Sequence, residues 1–343
     1  MKAYVYHGEK KFSIDEVPMP KAQAGQAVAK VLCASICGTD LRTYRFGSAK
    51  LKTPITIGHE GCYEITEVGE GVDLKIGERY VMAPAIGCGQ CKSCKKGRTN
   101  MCSSLATVGF EFPGTFAEYI TLPKEAIERG HLIKVPDHVS SKAASVAEPV
   151  ACAINAQSYL KIEQGDNVVI YGAGYLGCIH AELAFMQGAN NVFIAEVSEK
   201  RRNKARTLVP KAFVIDSSDA EYRTLIGNIV GQEGVDVVIT ACPAGITHKQ
   251  GLELLTQNGR MSLFGGLPGE NNYHLDSNLI HYKELGVFGA HASTVKQNMQ
   301  ALESIASGQL NVEKYITEFA FSDIEKAFNS LINEEAEKAV VIP

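Results

Sequence analysis

Hydrophobic and polar positions divide the 343-residue chain into three zones. In the first zone, which runs to about residue 150, short apolar runs are broken by Gly and Pro. Regularly spaced short strands with turn signals between them are typical of a barrel-like all-β unit. We therefore predict such a unit, with strands that include residues 27–32, 61–68, 79–83 and 116–122.

The second zone, about residues 151–285, alternates apolar runs with helical periodicity, which predicts βαβ units and a parallel sheet. The third zone, residues 286–343, carries two amphipathic stretches and a final apolar run. The predicted strands of the second zone are 167–171, 191–195, 235–240 and 259–264, and its helices are about 175–188, 199–208 and 247–257. The predicted elements of the third zone are about 294–307, 322–333 and 339–342.

Composition and charge exclude several classes of protein. Apolar residues make up 45% of the chain and charged residues 21%, which is ordinary globular usage and excludes a disordered chain. The length suggests roughly two domains. The 34 basic residues against 38 acidic ones give a net charge of −4, which argues against a nucleic-acid-binding protein.

The sequence also bears on compartment. No run of ~18 apolar residues predicts a membrane span, and the N-terminal segment MKAYVYHGEKKF lacks the apolar core of a signal peptide. We therefore predict a cytoplasmic protein without membrane attachment. Because thiols stay reduced there, the ten cysteines are predicted to be free thiols or metal ligands rather than disulfides.

A glycine-rich motif, Gly172-Ala-Gly174-Tyr175-Leu176-Gly177, directly follows the first apolar run of the second zone and opens a helical pattern. In this context the motif predicts a dinucleotide-binding turn. Gly172 makes the tight turn, Gly174 lets the backbone approach a pyrophosphate, and Gly177 lets the helix pack closely on the strand. The helix N-terminus supplies N–H groups for the phosphates. We predict that the motif, including Tyr175 and Leu176, binds the cofactor; the alternative is a glycine-rich turn that binds nothing.

Glu196 ends the next apolar run, where a carboxylate can accept hydrogen bonds from both hydroxyls of an adenosine ribose and would repel a 2′-phosphate. This predicts NAD rather than NADP. Arg201 and Arg202 keep NADP open, because a nearby arginine can accommodate the extra phosphate, and Arg201 is counted among the predicted cofactor-binding residues. The glycine-rich turn at 264–268 follows a later strand and is predicted to lie at the nicotinamide end.

Four cysteines lie close together in the first zone, at Cys88, Cys91, Cys94 and Cys102. Four thiolates can close a tetrahedral shell around zinc, and a closed shell is structural because no position remains for water or substrate. The segment between them has few apolar residues, so metal binding would supply its folding free energy. Free surface thiols and a nucleic-acid zinc ribbon are the alternatives. We predict a structural zinc lobe over residues 88–102.

Three other segments carry residue types that bind metals, but they lie far apart in the chain. Spacing alone cannot unite them, because isolated histidines and carboxylates are more often ordinary core or surface residues. The segments are Cys37-Gly-Thr39-Asp40, Gly58-His59-Glu60 and Glu148-Pro149.

The order of these motifs resembles that of the zinc-dependent medium-chain dehydrogenases, and in detail the polyol (sorbitol/L-iditol) and threonine dehydrogenase branch. The resemblance covers nearly the whole chain. It implies an α/β protein in which residues 1–150 and 286–343 form a GroES-like, β-rich catalytic domain and residues 151–285 form a Rossmann NAD-binding domain. The motifs that carry it are CGTD, GHE, the four-cysteine lobe, GTFAEY, the Glu-Pro pair and GAGYLG.

The resemblance further implies a catalytic zinc held by Cys37, His59 and a glutamate, which is either Glu60 or Glu148. Zinc with three protein ligands keeps one position open, where it polarises a substrate oxygen. Asp40 is predicted to accept a hydrogen bond from the His59 ring and so to fix its tautomer. Thr39 is predicted to pass the alcohol proton outward, the alternative being an ordinary turn hydroxyl.

Arg42 departs from the family pattern, in which related enzymes commonly carry histidine at this position. A planar guanidinium suits a phosphate or carboxylate, so Arg42 is predicted either to contact an anionic substrate or to be a surface residue. Tyr44 in the same loop is predicted to line the pocket with it. A pocket-facing Arg42 would favour a polyol phosphate.

Together these features predict an enzyme that transfers a hydride between a secondary alcohol of a polyol and NAD to give a ketose, with one catalytic and one structural zinc. The alternatives are a polyol-phosphate dehydrogenase, an L-threonine 3-dehydrogenase, or an inactive homologue that binds zinc and nucleotide. The predicted partners are a small-molecule substrate and further copies of the chain in a homotetramer or homodimer, with no nucleic acid and no membrane.

Overall fold

The computed structural model describes residues 1–267 and 274–343, so Pro268 of the predicted glycine-rich turn lies outside the described residues. The strands are β1 Lys2–Gly8, β2 Lys11–Glu16, β3 Ala27–Ser35, β4 Ile55–Thr56, β5 Glu60–Val68, β6 Arg79–Met82, β7 Ala85–Ile86, β8 Ala106–Thr107, β9 Tyr119–Leu122, β10 Leu132–Lys134, β11 Asn167–Tyr171, β12 Asn191–Glu196, β13 Phe213–Asp216, β14 Val235–Thr240, β15 Leu255–Leu263, β16 Gly286–Gly289, β17 Ile316–Ala320 and β18 Lys338–Ile342. The helices are α1 Gly38–Phe46, α2 Lys92–Lys95, α3 Lys124–Glu128, α4 Ser141–Ser145, α5 Ala147–Leu160, α6 Tyr175–Met186, α7 Glu199–Leu208, α8 Tyr222–Val230, α9 Ile246–Leu254, α10 Ser277–Tyr282, α11 Val295–Ala306 and α12 Ile324–Ile332.

The chain forms two compact units, Met1–Ala151 with Ala292–Pro343, and Cys152–His291. The sequence predicts boundaries near 150 and 285, whereas the second boundary lies beyond β16. The strand at 286–289 extends the sheet of the second unit, which places it there rather than in the third zone. Among the described helices, none is both long and apolar enough to cross a bilayer.

The first unit is built on a seven-stranded sheet in the order β10-β6-β5-β3-β18-β17, with β9 also pairing with β3. Its pairings are antiparallel except for β17 with β18. The core against this sheet combines aliphatic side chains with several buried aromatic rings, and burying large rings contributes strongly to a core's stability. β18 pairs with β3, so the last residues of the chain complete the sheet that β3 and β5 begin.

The second unit is a six-stranded sheet in the order β13-β12-β11-β14-β15-β16, and every pairing in it is parallel. The strands β11, β12 and β14 are almost wholly buried and apolar, as expected of strands covered on both faces. The predicted parallel sheet is confirmed. Strand order reverses at β11, and ligands of open α/β sheets bind at the carboxyl ends of the strands at such a point.

Candidate active site

Cys37 immediately precedes helix α1, and its position is fixed by the first turn of that helix. Its backbone N–H donates to Asp40 Oδ2 at 3.0 Å. An acidic side chain in the first turn also suits the positive end of the helix dipole. The thiol of Cys37 is half-buried and the carboxylate of Asp40 is buried.

His59 directly follows Gly58 in the chain. Gly58 has a φ of +96°, a backbone conformation that favours glycine. A Cβ on Gly58 would lie 2.5 Å from Thr115 Oγ1, so a side chain there would collide with Thr115. Glu60 follows His59 directly and begins β5, opposite Ser35 of β3 in the sheet register.

The structure brings Cys37, His59 and Glu60 together, with ligand atoms that all lie within 4.8 Å of one another. His59 is 7% exposed and Glu60 fully buried. Asp40 Oδ1 lies 3.7 Å from His59 Nδ1, beyond a hydrogen bond but close enough for the carboxylate to face the ring. A small movement of either side chain would form the predicted hydrogen bond between His59 and Asp40, which would fix the tautomer of the His59 ring.

The electrostatics of the cluster favour a positive charge at its centre. Burial alone lowers the pKa of His59, but the negative charges of Cys37 and Asp40 outweigh it and raise that pKa well above its usual range. Burial raises the pKa of the Asp40 carboxyl, while the charge of His59 opposes that rise. A bound cation would neutralise this excess of anionic groups in a buried site.

Lys338, from the far end of the chain, is a buried partner of Glu60. Its Nζ lies 2.5 Å from Glu60 Oε2 and donates to the carbonyl of Ile36 at 2.9 Å. Ser35 Oγ also donates to Glu60 Oε2. The other carboxylate oxygen, Glu60 Oε1, is buried without a hydrogen-bond partner in the part of the chain that the structure describes. One oxygen of Glu60 is therefore anchored and the other is available to a metal.

Glu148 lies in the first turn of α5 and is 9% exposed. Its charge acts on His59, which places it near the cluster, but its carboxylate does not join the group of atoms within 4.8 Å. Of the two glutamates predicted as alternatives, Glu60 thus has the closer approach to Cys37 and His59.

The other residues predicted around this site take different positions. Thr39 is half-buried in α1, and its carbonyl accepts from Thr43 Oγ1 at 3.1 Å. Arg42 is exposed on the same helix. The ring of Tyr44 stacks on Phe328 at 4.6 Å and lies 5.4 Å from Phe12, so it packs between two other rings. Its place in the pocket stays a prediction.

No sequence pattern marks Phe110 as a site residue, yet its ring centroid lies 6.1 Å from that of His59. Its loop packs on the backbone before His59: a Cβ on Gly109 would lie 2.5 Å from the Gly58 carbonyl oxygen, and one on Gly114 would lie 2.4 Å from it. Gly109 and Gly114 are visible in the sequence on either side of Phe110. Their contact with Gly58, which brings Phe110 beside His59, becomes visible only in the fold.

The four cysteines of the predicted lobe also converge. Their sulfur atoms lie within 4.8 Å of one another, and backbone N–H groups point at them, including Cys88 N to Cys102 Sγ at 3.2 Å and Cys91 N to Cys88 Sγ at 3.4 Å. Hydrogen bonds from backbone N–H groups lower the pKa of Cys91 to about 6. Such bonds favour thiolates, the form that binds zinc.

The glycine-rich motif lies in the second unit, between β11 and α6. Gly172 has a φ of +106°, and a Cβ on Gly177 would lie 1.9 Å from the Gly172 carbonyl oxygen, so only glycine fits there. A Cβ on Gly174 would meet no described atom within 4 Å. Gly174 is the N-cap of α6, whose first turn begins with Tyr175 and Leu176, so the backbone at this helix N-terminus is open to the approach of a pyrophosphate.

Glu196 ends β12 beside the glycine-rich motif. Its Oε2 accepts from Ala173 N at 2.9 Å, and its Oε1 accepts from the backbone N–H groups of Val197 and Ser198, both at 2.9 Å. A carboxylate has about four lone-pair sites, so a ribose hydroxyl can still donate to it. Glu196 thereby joins the glycine turn to the predicted ribose position.

The two arginines after Glu196 differ in their surroundings. Arg202 is buried, pairs with Asp216 at 2.8 Å, and donates to the carbonyls of Glu196 and Val197. It is therefore committed to the fold and not available to a phosphate. Arg201 lies in the first turn of α7 and is half-buried.

Comparison with known proteins assigns the family. Residues 23–137 match the alcohol dehydrogenase GroES-like domain, and residues 176–307 match the zinc-binding dehydrogenase domain. A sorbitol dehydrogenase of Halalkalibacterium halodurans is 30% identical over 100% of this chain and 99% of its own. The chain belongs to the zinc-dependent medium-chain dehydrogenases. The resemblance and the fold class predicted from the sequence are confirmed.

Two further relatives of this dehydrogenase bear on its chemistry. An L-threonine 3-dehydrogenase of Pyrococcus furiosus is 32% identical over 91% of this chain and 90% of its own. A crystal structure from Sinorhizobium meliloti 1021, assigned as a zinc-binding dehydrogenase and bound to NADP, superposes with a TM-score of 0.91 at 27% identity, covering 100% of this chain and 99% of that one. The protein is an oxidoreductase that uses zinc and a nicotinamide dinucleotide.

The residues of the dehydrogenase fit both cofactors. Thiolate, imidazole and carboxylate are the donor types that zinc prefers, and the unpartnered Glu60 Oε1 beside Cys37 and His59 is a buried acceptor that a metal would satisfy. The four thiols of the lobe form a closed donor set without room for substrate. The glycine-rich turn and Glu196 suit a dinucleotide.

The lobe gives a first prediction for the dehydrogenase. In Cys102→Ser, zinc content should fall by about one ion per chain, and limited proteolysis should cut within 88–102, because the metal supplies that segment's folding free energy. Turnover at 25 °C should stay within about threefold of wild type, because the variant leaves the Cys37 cluster intact. The control is Ser103→Ala, next in the chain but without a ligand. Unchanged metal content in Cys102→Ser would show that the cysteines do not bind zinc.

Proposed function

We propose that the protein oxidises a secondary alcohol of a polyol to the corresponding ketose with NAD, and runs the reverse reaction with NADH. The observation that carries the proposal is the convergence of Cys37, His59 and Glu60 from separate segments within 4.8 Å. A thiolate, an imidazole and one carboxylate leave a coordination position open for the substrate oxygen. The relatives named sorbitol and L-threonine 3-dehydrogenase support an alcohol as substrate.

When bound, zinc polarises the alcohol oxygen and the nicotinamide accepts the hydride from the adjacent carbon. The chain's own residues do the rest. Asp40 faces His59 Nδ1 at 3.7 Å, and a hydrogen bond formed between them would keep the ring in the tautomer that leaves the other nitrogen for the metal. Thr39 takes the proton that the alcohol loses and passes it outward. Either Glu60 or Glu148 contributes the carboxylate of the metal site, and the closer approach of Glu60 to Cys37 and His59 favours Glu60.

Phe110 favours a polyol over L-threonine. Its ring is an apolar wall beside His59, and such a wall suits the C–H face of a carbon chain. An amino acid substrate would need partners for both a carboxylate and an ammonium group. Arg42 is the position that would distinguish a phosphorylated polyol, because its exposed guanidinium suits a phosphate.

The experiment that tests this function is an NAD⁺-reduction screen over sorbitol, xylitol, arabitol, their phosphates and L-threonine, run on wild type and Arg42→Ala. We expect turnover of at least one polyol. A preference for a phosphorylated polyol that is lost in Arg42→Ala would identify the alternative substrate class. Turnover of L-threonine alone would refute the polyol assignment, and absence of turnover with two zinc ions bound would support the inactive homologue.

We propose NAD as the cofactor because Glu196 bonds to the backbone of the glycine-rich motif, and a carboxylate at the predicted ribose position would repel a 2′-phosphate. Arg202 is engaged elsewhere, which leaves Arg201 as the one arginine of the pair that could favour NADP. The NADP-bound relative shows that related chains accept the phosphorylated form, so the choice depends on these side chains.

Glu196→Ala tests this choice. Loss of the carboxylate should raise the KM for NAD⁺ about tenfold, because hydrogen bonds to a charged group are worth about 1.5–3 kcal/mol. The KM for NADP⁺ should fall or stay level, because the repulsion is removed. The measurement is initial-rate kinetics with both cofactors, with Glu199→Ala on the exposed start of α7 as the control. Equal loss with both cofactors would contradict the proposal.

We propose that the protein forms a homodimer or homotetramer. The strand β16 pairs only with β15 among the described strands, so its other edge presents free backbone groups of the kind that pair between subunits. Tyr282, just before it, is 79% exposed. Sedimentation at micromolar concentration should give a mass of two or four chains, and a monomer would contradict this.

We propose a reducing compartment, the cytoplasm, for the protein. All ten cysteines are free thiols, although two of them, Cys33 and Cys62, lie directly opposite each other in β3 and β5. Five of the cysteines belong to the two candidate metal sites, and Cys33, Cys62 and Cys178 are buried in the core. In an oxidising compartment these eight thiols could form unwanted disulfides.

A further inference from the structure

His180 is a fully buried histidine of α6 that the proposed mechanism does not use. The helix around it is apolar, and a polar group costs free energy in such a place unless it is hydrogen-bonded. Its position on the helix that begins at the glycine-rich motif places it close to the cofactor site of the second unit.

Two glutamines fix the orientation of this ring. Gln157 Nε2 donates to the carbonyl of His180 at 2.8 Å and to its Nδ1 at 3.1 Å, and Gln187 Nε2 donates to Gln157 Oε1. Because both protons of the Gln157 amide are used, Nδ1 is the acceptor and the ring proton resides on Nε2. Burial lowers the pKa of His180 to about 3, so the ring is neutral at ordinary pH.

The Nε2–H group has no hydrogen-bond partner among the described residues, but it has an aromatic neighbour. The rings of His180 and Phe264 meet edge to face, with centroids 4.6 Å apart and planes at 85°. With the two rings edge to face, an imidazole N–H group at the contact would make a weak hydrogen bond with the aromatic face, and such a bond would satisfy the otherwise orphaned donor.

Phe264 directly follows β15, in the turn at the carboxyl edge of the parallel sheet. The next residue, Gly265, donates to the Thr240 carbonyl at 2.7 Å, and a Cβ on it would lie 2.5 Å from the Cys242 carbonyl oxygen. Cys242 in turn lies against Gly172 of the glycine-rich motif. A Cβ added to Gly172 would be 3.1 Å from the Cβ of Cys242.

The carboxyl edge therefore carries, in sheet order, Glu196 after β12, the glycine-rich motif after β11, the Cys242 segment after β14 and the Phe264 turn after β15. A dinucleotide with its adenosine ribose at Glu196 and its pyrophosphate at the motif extends over β14 toward β15. Its nicotinamide half then reaches the turn that Phe264 begins.

We propose that His180 is a positioning residue for the nicotinamide half of the cofactor: its buried Nε2–H holds the ring of Phe264, and Phe264 holds the turn. This rests on the proposed use of NAD by this unit. The chain of contacts runs from Gln187 through Gln157 and His180 to Phe264, all within residues 152–291.

The test compares the affinities of the protein for NADH and for ADP-ribose. ADP-ribose lacks the nicotinamide, so its affinity depends only on the adenosine half of the site, at Glu196 and the glycine-rich motif. In His180→Leu, the Kd for NADH should rise about three- to tenfold, the range of one aromatic contact, while the Kd for ADP-ribose stays unchanged. Both constants come from titration calorimetry of the full chain, with NADH fluorescence as a second readout.

The matched control is His248→Leu, which also removes a buried imidazole with an unpartnered Nε2, from α9 of the same unit. It should change the two affinities equally or not at all. If His180→Leu fails to fold, Phe264→Leu in the half-buried turn carries the test and should show the same selective loss. In the double variant the loss should not exceed that of His180→Leu alone.

Equal losses of NADH and ADP-ribose affinity in His180→Leu, or no loss, would overturn the positioning role while leaving the cofactor assignment intact. Failure of the wild-type protein to bind either molecule would overturn the cofactor assignment and this proposal with it.

Discussion

Cys37→Ala is expected to lower kcat/KM by about a thousandfold or more with every alcohol that the wild type oxidises. Metal polarisation of the reacting oxygen is worth several kcal/mol of transition-state stabilisation, and each ~1.4 kcal/mol is a factor of ten. Cys37 supplies the one thiolate of the cluster, and His59 with Glu60 alone forms an incomplete donor set. Bound zinc should fall by one ion per chain.

The control for this variant is Cys33→Ala, which removes a buried thiol of β3 that belongs to neither cysteine cluster. It should keep both zinc ions and most of the activity. Metal analysis and initial rates on the same preparations check both expectations. A Cys37→Ala enzyme with full zinc content and unchanged turnover would remove Cys37 from the catalytic site.

Lys338→Met is expected to cost about 3–5 kcal/mol of stability in the zinc-free protein, since it leaves the buried carboxylate of Glu60 without its cation. Lys338 is 4% exposed and Glu60 fully buried, so water cannot compensate. Zinc bound beside Glu60 would supply a positive charge of its own, and the loss should therefore be clearly smaller in the zinc-loaded protein.

Thermal unfolding of wild type and Lys338→Met, each with and without zinc, measures how much smaller the loss of stability is in the zinc-loaded protein. The double variant Lys338→Met/Glu60→Gln should recover much of the loss in the zinc-free protein, because the uncompensated charge is gone. Lys338→Met with the same unfolding temperature as wild type in both forms would show that the pair contributes nothing. A loss of equal size with and without zinc would place Glu60 outside the metal site.

The candidate sites whose residues lie within one short segment could be predicted from the sequence by their spacing alone. Four cysteines between residues 88 and 102, and a G-x-G-x-x-G motif after an apolar run, each hold their chemistry within one short segment. Buried parallel strands were predictable too, since they read as continuous apolar runs. Two edge strands, Phe213–Asp216 and Gly286–Gly289, went unpredicted because they are short and only partly buried.

The cluster of Cys37, His59 and Glu60 could be suggested only by resemblance, because its members meet through sheet pairing and turn geometry. Lys338 is the clearest omission: a single lysine at the start of the last apolar run gives no local sign that it reaches Glu60. The packing of Tyr44 was also not readable from the sequence. Helix periodicity turns its ring toward Phe328, a contact that no local pattern indicates.

The contact of Gly58 with Gly109 and Gly114 has a consequence for how relatives of this protein can diverge. Any side chain at these three positions would collide with backbone or with Thr115, so the frame of the loop tolerates almost no mutation. The tip at Phe110 carries no such restriction and is half-buried. Selection for a new alcohol can therefore exchange the tip residue while His59 keeps its place, so that the proposed metal site and the substrate preference become separately adjustable.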